Sequence, residues 1–192
     1  MLYYFLYPLR EYFFAFNVFR YITFRAAYAM VTALLICFIF GPRLIRWLQR
    51  VQIGQRIRDE VPERHQAKEG TPTMGGLLII AATIVPTLLW GNLANPYIQV
   101  AVVVTLWTGL IGFLDDYLRV VKRTEKGLVG RYKLLGQFLF GAALGIFLYL
   151  HPLAHEGVTQ SAVPFLKHYY IEWGILYIPL VIFIIMGSSN AV

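Results

Sequence analysis

Two adjacent carboxylates, Asp115 and Asp116, close the run Gly-Leu-Ile-Gly-Phe-Leu-Asp-Asp-Tyr from Gly109 to Tyr117. The residues before them are apolar, and that placement is costly. An aspartate at the centre of a membrane helix costs roughly 2.5 to 3.5 kcal/mol, less at the interface, and near a helix C-terminus it also meets the unfavourable end of the dipole. A magnesium ion, the counter-cation of a bound phosphate or a catalytic proton would offset the cost. Neighbouring helix positions point about 100° apart, so one carboxylate can face a reaction while the other orients a cation. Pairing of Asp115 or Asp116 with Arg119, at i+4 or i+3, is the competing structural reading. Spacing alone does not choose between the two.

A second constellation, Lys-Glu-Gly-Thr-Pro-Thr-Met-Gly-Gly, runs from Lys68 to Gly76. Pro72 holds Thr71 extended, Thr73 is a candidate N-cap, and Gly75 with Gly76 admits close approach of a backbone or ligand. A helix N-terminus beside Lys68 is a natural anion site. Taken alone, a helix start whose glycines pack against a neighbour is the simpler reading. Carboxylates for a divalent ion and cations for phosphates on one face would suit phosphoryl transfer, which depends on positioning and charge neutralisation.

The elements that must position these groups lie in a membrane. Of the 192 residues 58% are hydrophobic, 16% aromatic and only 14% charged, far from the balance of a soluble domain. Apolar stretches near the roughly 20 residues that cross a bilayer predict an all-α, polytopic transmembrane bundle in one domain, 1–192. Its spans fall at about 22–40, 73–93, 97–114, 134–150 and 173–186. Helices are required because lipid-exposed backbone must satisfy its own hydrogen bonds.

Arg43, Arg46, Arg50, Arg56, Arg58, Arg64 and Lys68 follow the first span, and Arg119, Lys122, Arg123, Lys126, Arg131 and Lys133 follow the third. Lys167 is the only Lys or Arg in the other two connections. The positive-inside rule therefore predicts both basic loops in the cytoplasm and the N-terminus outside, although Arg10, Arg20 and Arg25 run against it. Polybasic loops also attract anionic membrane lipids, by about 1 kcal/mol per charge.

The net charge of +7 does not mark a nucleic-acid partner, because the basic residues sit between apolar segments rather than along one face. Cys37, the only cysteine, excludes a disulfide within the chain. The N-terminus lacks signal-peptide features, and Tyr3, Tyr4, Tyr7 and Tyr12 suit an interfacial segment. His151, His155 and His168 lack the ligand spacing of a zinc site, in a connection with room for a small hairpin.

Taken together, the motifs resemble the phospho-N-acetylmuramoyl-pentapeptide-transferase family. The resemblance runs from Phe16-Asn-Val-Phe and Thr23-Phe-Arg, through Gly41-Pro-Arg and Gly70-Thr-Pro-Thr-Met-Gly-Gly, to Gly112-Phe-Leu-Asp-Asp-Tyr, Lys126-Gly-Leu and Gly187-Ser-Ser-Asn-Ala-Val. It implies a bacterial inner-membrane enzyme of peptidoglycan synthesis with a cytoplasmic active face. Its reaction moves phospho-N-acetylmuramoyl-pentapeptide from UDP to undecaprenyl phosphate, releases UMP and needs Mg2+; a homodimer is compatible with the resemblance.

By that resemblance Asp115 is the candidate base for the lipid phosphate and Asp116 a neighbouring essential carboxylate. Lys68 and Thr73 fall on the nucleotide side, and Lys133 is a candidate for the phosphates. The family pattern continues past Asn-Ala-Val to its magnesium-binding aspartate, so the metal ligand is expected beyond Val192. Five of ten spans and an inactive isolated half follow as expectations, as does the loss of some neighbours from the small-residue face of Gly141, Ala142, Ala143 and Gly145. A sister transferase moving another phospho-sugar to polyprenyl phosphate is the nearest alternative, and a non-catalytic membrane protein the more distant one.

Overall fold

The apolar runs fold as helices, as backbone in lipid requires. The computed structural model describes residues 2–52, 74–120, 122, 127–151, 159–162 and 169–191. Its helices are α1 (Leu2–Leu6), α2 (Ile22–Gln52), α3 (Gly76–Trp90), α4 (Pro96–Val120), α5 (Gly130–Leu150) and α6 (Tyr177–Asn190). The architecture is an all-α membrane helix bundle. Ile22–Arg50, Pro96–Val120 and Gly130–Leu150 are long and apolar enough to cross a membrane, whereas Gly76–Trp90 and Gly174–Asn190 are apolar but shorter.

Several helix ends differ from those the hydropathy pattern predicts. The first span continues from Phe40 to Gln52 and the third from Leu114 to Val120, while the fourth starts at Gly130. A hydropathy window stops at the first charges, but a helix continues as long as its backbone bonds are made and its polar side chains reach water. In α2, Arg43 Nη1 donates to the Ile39 carbonyl at 2.6 Å and Arg46 Nε to the Pro42 carbonyl at 3.1 Å. These bonds flank Pro42, which lies inside the helix.

The chain packs as two units, Met1–Gly127 and Leu128–Val192. In the first, an aromatic N-terminal segment closes against the ends of α2 and α3. Trp90 stacks with Phe19 at 6.2 Å between centroids, lies 5.3 Å from Tyr28, and donates from Nε1 to Thr32 Oγ1 at 2.9 Å. The Tyr4 hydroxyl donates to Asn92 Oδ1 and accepts from the Ala94 backbone at 2.8 Å, fixing the turn between α3 and α4. Toward the opposite end of these helices, Leu48, Met74 and Val120 form a buried cluster with Leu44, Leu77 and Phe113 against it.

In the second unit, α5 and α6 approach almost backbone to backbone. A Cβ on Gly141 would lie 3.0 Å from Ile182 Cα, and one on Gly145 would lie 3.2 Å from Ile178 Cα. These glycines, four apart on one face, admit the close contact that drives helix association in lipid. Of the small-residue face expected to lack some neighbours, Gly141 and Gly145 are engaged by α6. Gln137, one turn before Gly141, is 2% exposed and accepts from Asn190 Nδ2 at 2.6 Å. The connection between α5 and α6 contains the small antiparallel pair β1 (Gln160–Ala162) and β2 (Tyr170–Glu172). Trp173 fastens it by donating from Nε1 to Ser161 Oγ at 2.8 Å.

Candidate active site

Because α4 runs on to Val120, Asp115 and Asp116 are carried on regular helix near its C-terminal end. Both side chains are half-buried. Arg119 Nη2 donates to Asp115 Oδ2 at 3.1 Å, with the side chains 54% and 15% exposed respectively. The i+4 pairing raised as the competing reading of Asp115 is therefore present. An exposed pair of this kind contributes only about 0.3 to 0.5 kcal/mol, less than the cost of a carboxylate deep in a membrane. Pairing with Arg119 is compatible with a chemical role for Asp115 and does not replace one.

Two residues packed against this end of α4 were not among the candidate site residues drawn from the sequence. Met74, buried at 8%, adopts φ +73 immediately before the glycines that start α3. Left-handed backbone at a residue with a side chain is uncommon and unfavourable. Its packing with Leu48 from α2 and Val120 from α4 gives the reason to hold it. The methionine of Thr-Pro-Thr-Met-Gly-Gly thereby ties the entry of α3 to the end of α4 that carries the aspartates. Gly127, the second of these, lies against Asp115 and Arg119. The sequence signal that contained it was Lys126-Gly-Leu, one of the motifs of the resemblance.

The predicted N-cap is corrected in one respect: α3 starts at Gly76, and Gly75 holds the cap position without a side-chain bond. Thr73 and Lys68 lie outside the described residues. Lys133 lies in the first turn of α5, half-buried, within the second unit. Among the described residues, no three His, Cys, Asp or Glu side chains form a group able to hold a metal ion.

Helices of membrane-spanning length with a carboxylate pair at the end of one define a multi-pass membrane protein, and residues 98–192 match the model for glycosyl transferase family 4. Residues 68–80 match phospho-N-acetylmuramoyl-pentapeptide-transferase signature 1. The chain belongs to the phospho-N-acetylmuramoyl-pentapeptide-transferase family. Proteins of that name from Thermodesulfovibrio yellowstonii, Pelobacter propionicus and Citrifermentans bemidjiense are 47%, 49% and 47% identical to it over all 192 residues. The chain spans about half, 53%, of the length of each of these relatives.

Proposed function

We propose that the protein to which these residues belong transfers phospho-N-acetylmuramoyl-pentapeptide from its UDP carrier to undecaprenyl phosphate, releasing UMP. The observation that carries this reading is identity of 47% to 49% along the whole chain to transferases of that name. The carboxylates at the end of α4 supply chemistry that fits it. In the proposed mechanism Asp115 takes the proton of the lipid phosphate, whose oxygen then attacks the β-phosphorus of the UDP-sugar, and UMP leaves. Asp116 holds the local charge, while Lys68 and Thr73 on the nucleotide side and Lys133 orient phosphates. Positioning and charge neutralisation of this kind dominate phosphoryl transfer.

Mg2+ is proposed as a requirement of the whole protein, where it would neutralise phosphate oxygens. In a chain of full family length, chelation by EDTA is expected to stop UMP release and added MgCl2 to restore it. Release at an undiminished rate after chelation would remove the cofactor from the proposal. UDP-N-acetylmuramoyl-pentapeptide should be used in strong preference to UDP-N-acetylglucosamine. The opposite preference would favour the sister transferase.

The orientation proposed is that of a bacterial inner-membrane protein, with the basic loops and active face in the cytoplasm and the N-terminus outside. Impermeant thiol labelling in a Cys37→Ser background is expected to modify Gln160→Cys and to spare Gln55→Cys in intact cells. The reverse pattern would invert the topology and remove the cytoplasmic site. A polypeptide of these 192 residues alone is expected to insert in the membrane without turnover. Its relatives are nearly twice as long, and displacement of reacting groups by about 1 Å can already cost roughly a hundredfold.

A further inference from the structure

The backbone at Gly127, which is buried and has φ +60, lies against the Asp115 carboxylate of α4. A Cβ at this position would collide with Arg119 Nε and would lie 2.5 Å from Asp115 Oδ1 and 2.8 Å from Arg119 Cγ. Two separate demands therefore meet at one residue. Its left-handed backbone favours glycine over any L side chain, and the space a methyl group would need is filled by the ion pair. Gly174 has the first demand without the second, since its φ is +50 and nothing lies within 4 Å of a Cβ built there.

The groups that would be struck differ in what moving them costs. Arg119 is long and 54% exposed, so it can swing into water. Asp115 is short and 15% exposed, and its Oδ2 accepts from Arg119 while Oδ1 lies under Gly127. It cannot turn away from a methyl group at 127 without changing the direction of its carboxylate.

We propose that Gly127 is a positioning residue for Asp115: the absence of a side chain at 127 lets the backbone there lie against the Asp115–Arg119 pair and fixes the direction of the Asp115 carboxylate. This rests on the proposed role of Asp115 as the base for the lipid phosphate. A carboxylate turned aside would still bind its surroundings but would meet the attacking oxygen badly. The effect belongs to kcat, and the nucleotide, held by other residues, should keep its KM.

The test uses a chain of full family length, assayed for UMP release with UDP-N-acetylmuramoyl-pentapeptide and undecaprenyl phosphate. Gly127→Ala is expected to lower kcat on the order of ten- to a hundredfold with the nucleotide KM changed by less than about twofold. Gly127→Asn, better tolerated in left-handed backbone, keeps the Cβ collision; it should retain the wild-type melting temperature and lose kcat to a similar extent. Gly174→Ala, with strain but no collision, should remain near wild type. Because the struck atoms belong to Arg119 as well as Asp115, Gly127→Ala combined with Arg119→Ala should lose less than the product of the two single losses.

Wild-type kcat in Gly127→Ala and Gly127→Asn, alongside inactive Asp115→Asn, would overturn the positioning role and leave the role of Asp115 standing. Equal losses in Gly127→Ala and Gly174→Ala, or strictly multiplicative effects with Arg119→Ala, would also overturn it. Full activity in Asp115→Asn would instead overturn the functional reading on which the proposal rests.

Discussion

In a chain of full family length, Asp115→Asn and Asp116→Asn are each expected to reduce turnover on the order of a hundredfold or more while leaving the protein level near wild type. The substitution keeps shape and hydrogen-bonding capacity but removes the negative charge that takes a proton or balances cationic groups. The position of the pair makes a purely structural outcome a poor account. α4 carries both carboxylates on continuous helix, and the bond of 3.1 Å from Arg119 to Asp115 comes from a side chain that is 54% exposed. Removing such a pair costs a few tenths of a kcal/mol, less than a factor of three in any equilibrium it controls. Arg119→Gln should accordingly be milder than either aspartate change. Near-normal turnover in both Asn variants would return the carboxylates to a structural role.

The second large effect concerns the contact between α5 and α6. At Gly141 the facing Ile182 Cα leaves 3.0 Å for a Cβ, and at Gly145 Ile178 Cα leaves 3.2 Å. Alanine at either position requires a shift of a few tenths of an ångström, whereas leucine must force the helices apart. Overpacking typically costs about 1 to 3 kcal/mol per site, and separating the helices also strains the Gln137–Asn190 hydrogen bond of 2.6 Å. Thermal unfolding in detergent should therefore rank wild type above Gly141→Ala and Gly141→Ala well above Gly141→Leu, with the same order at Gly145. A leucine variant as stable as wild type would show that these helices do not need the close approach.

What the sequence made legible was what depends on local pattern. Apolar length located the helices, and charge set against apolarity singled out Asp115 and Asp116. Local pattern could not locate the ends of α2 and α4, because helix continuation depends on backbone bonding and not on where hydropathy falls. It also missed Met74 and Gly127. The backbone of Met74 is held left-handed by partners on α2 and α4 far away in sequence, and Gly127 matters through atoms on the preceding helix. Thr73 was a candidate N-cap by residue type, yet α3 starts at Gly76, after the left-handed residue Met74. The glycines of α5 suggested close packing, but their partner was not readable, because a small-residue face does not encode which helix fills it.

The most direct measurement of the central claim is transfer itself, followed at both products with purified chain of full family length. UDP-N-acetylmuramoyl-pentapeptide labelled in the peptide and undecaprenyl phosphate would be supplied with magnesium, and UMP and the lipid-linked label counted from the same reaction. The account predicts equal amounts of UMP and lipid-linked product from the wild-type chain, and neither above background from Asp115→Asn at matched protein level. UMP and lipid product formed at the wild-type rate by Asp115→Asn, or no lipid-linked product from the wild-type chain, would contradict it.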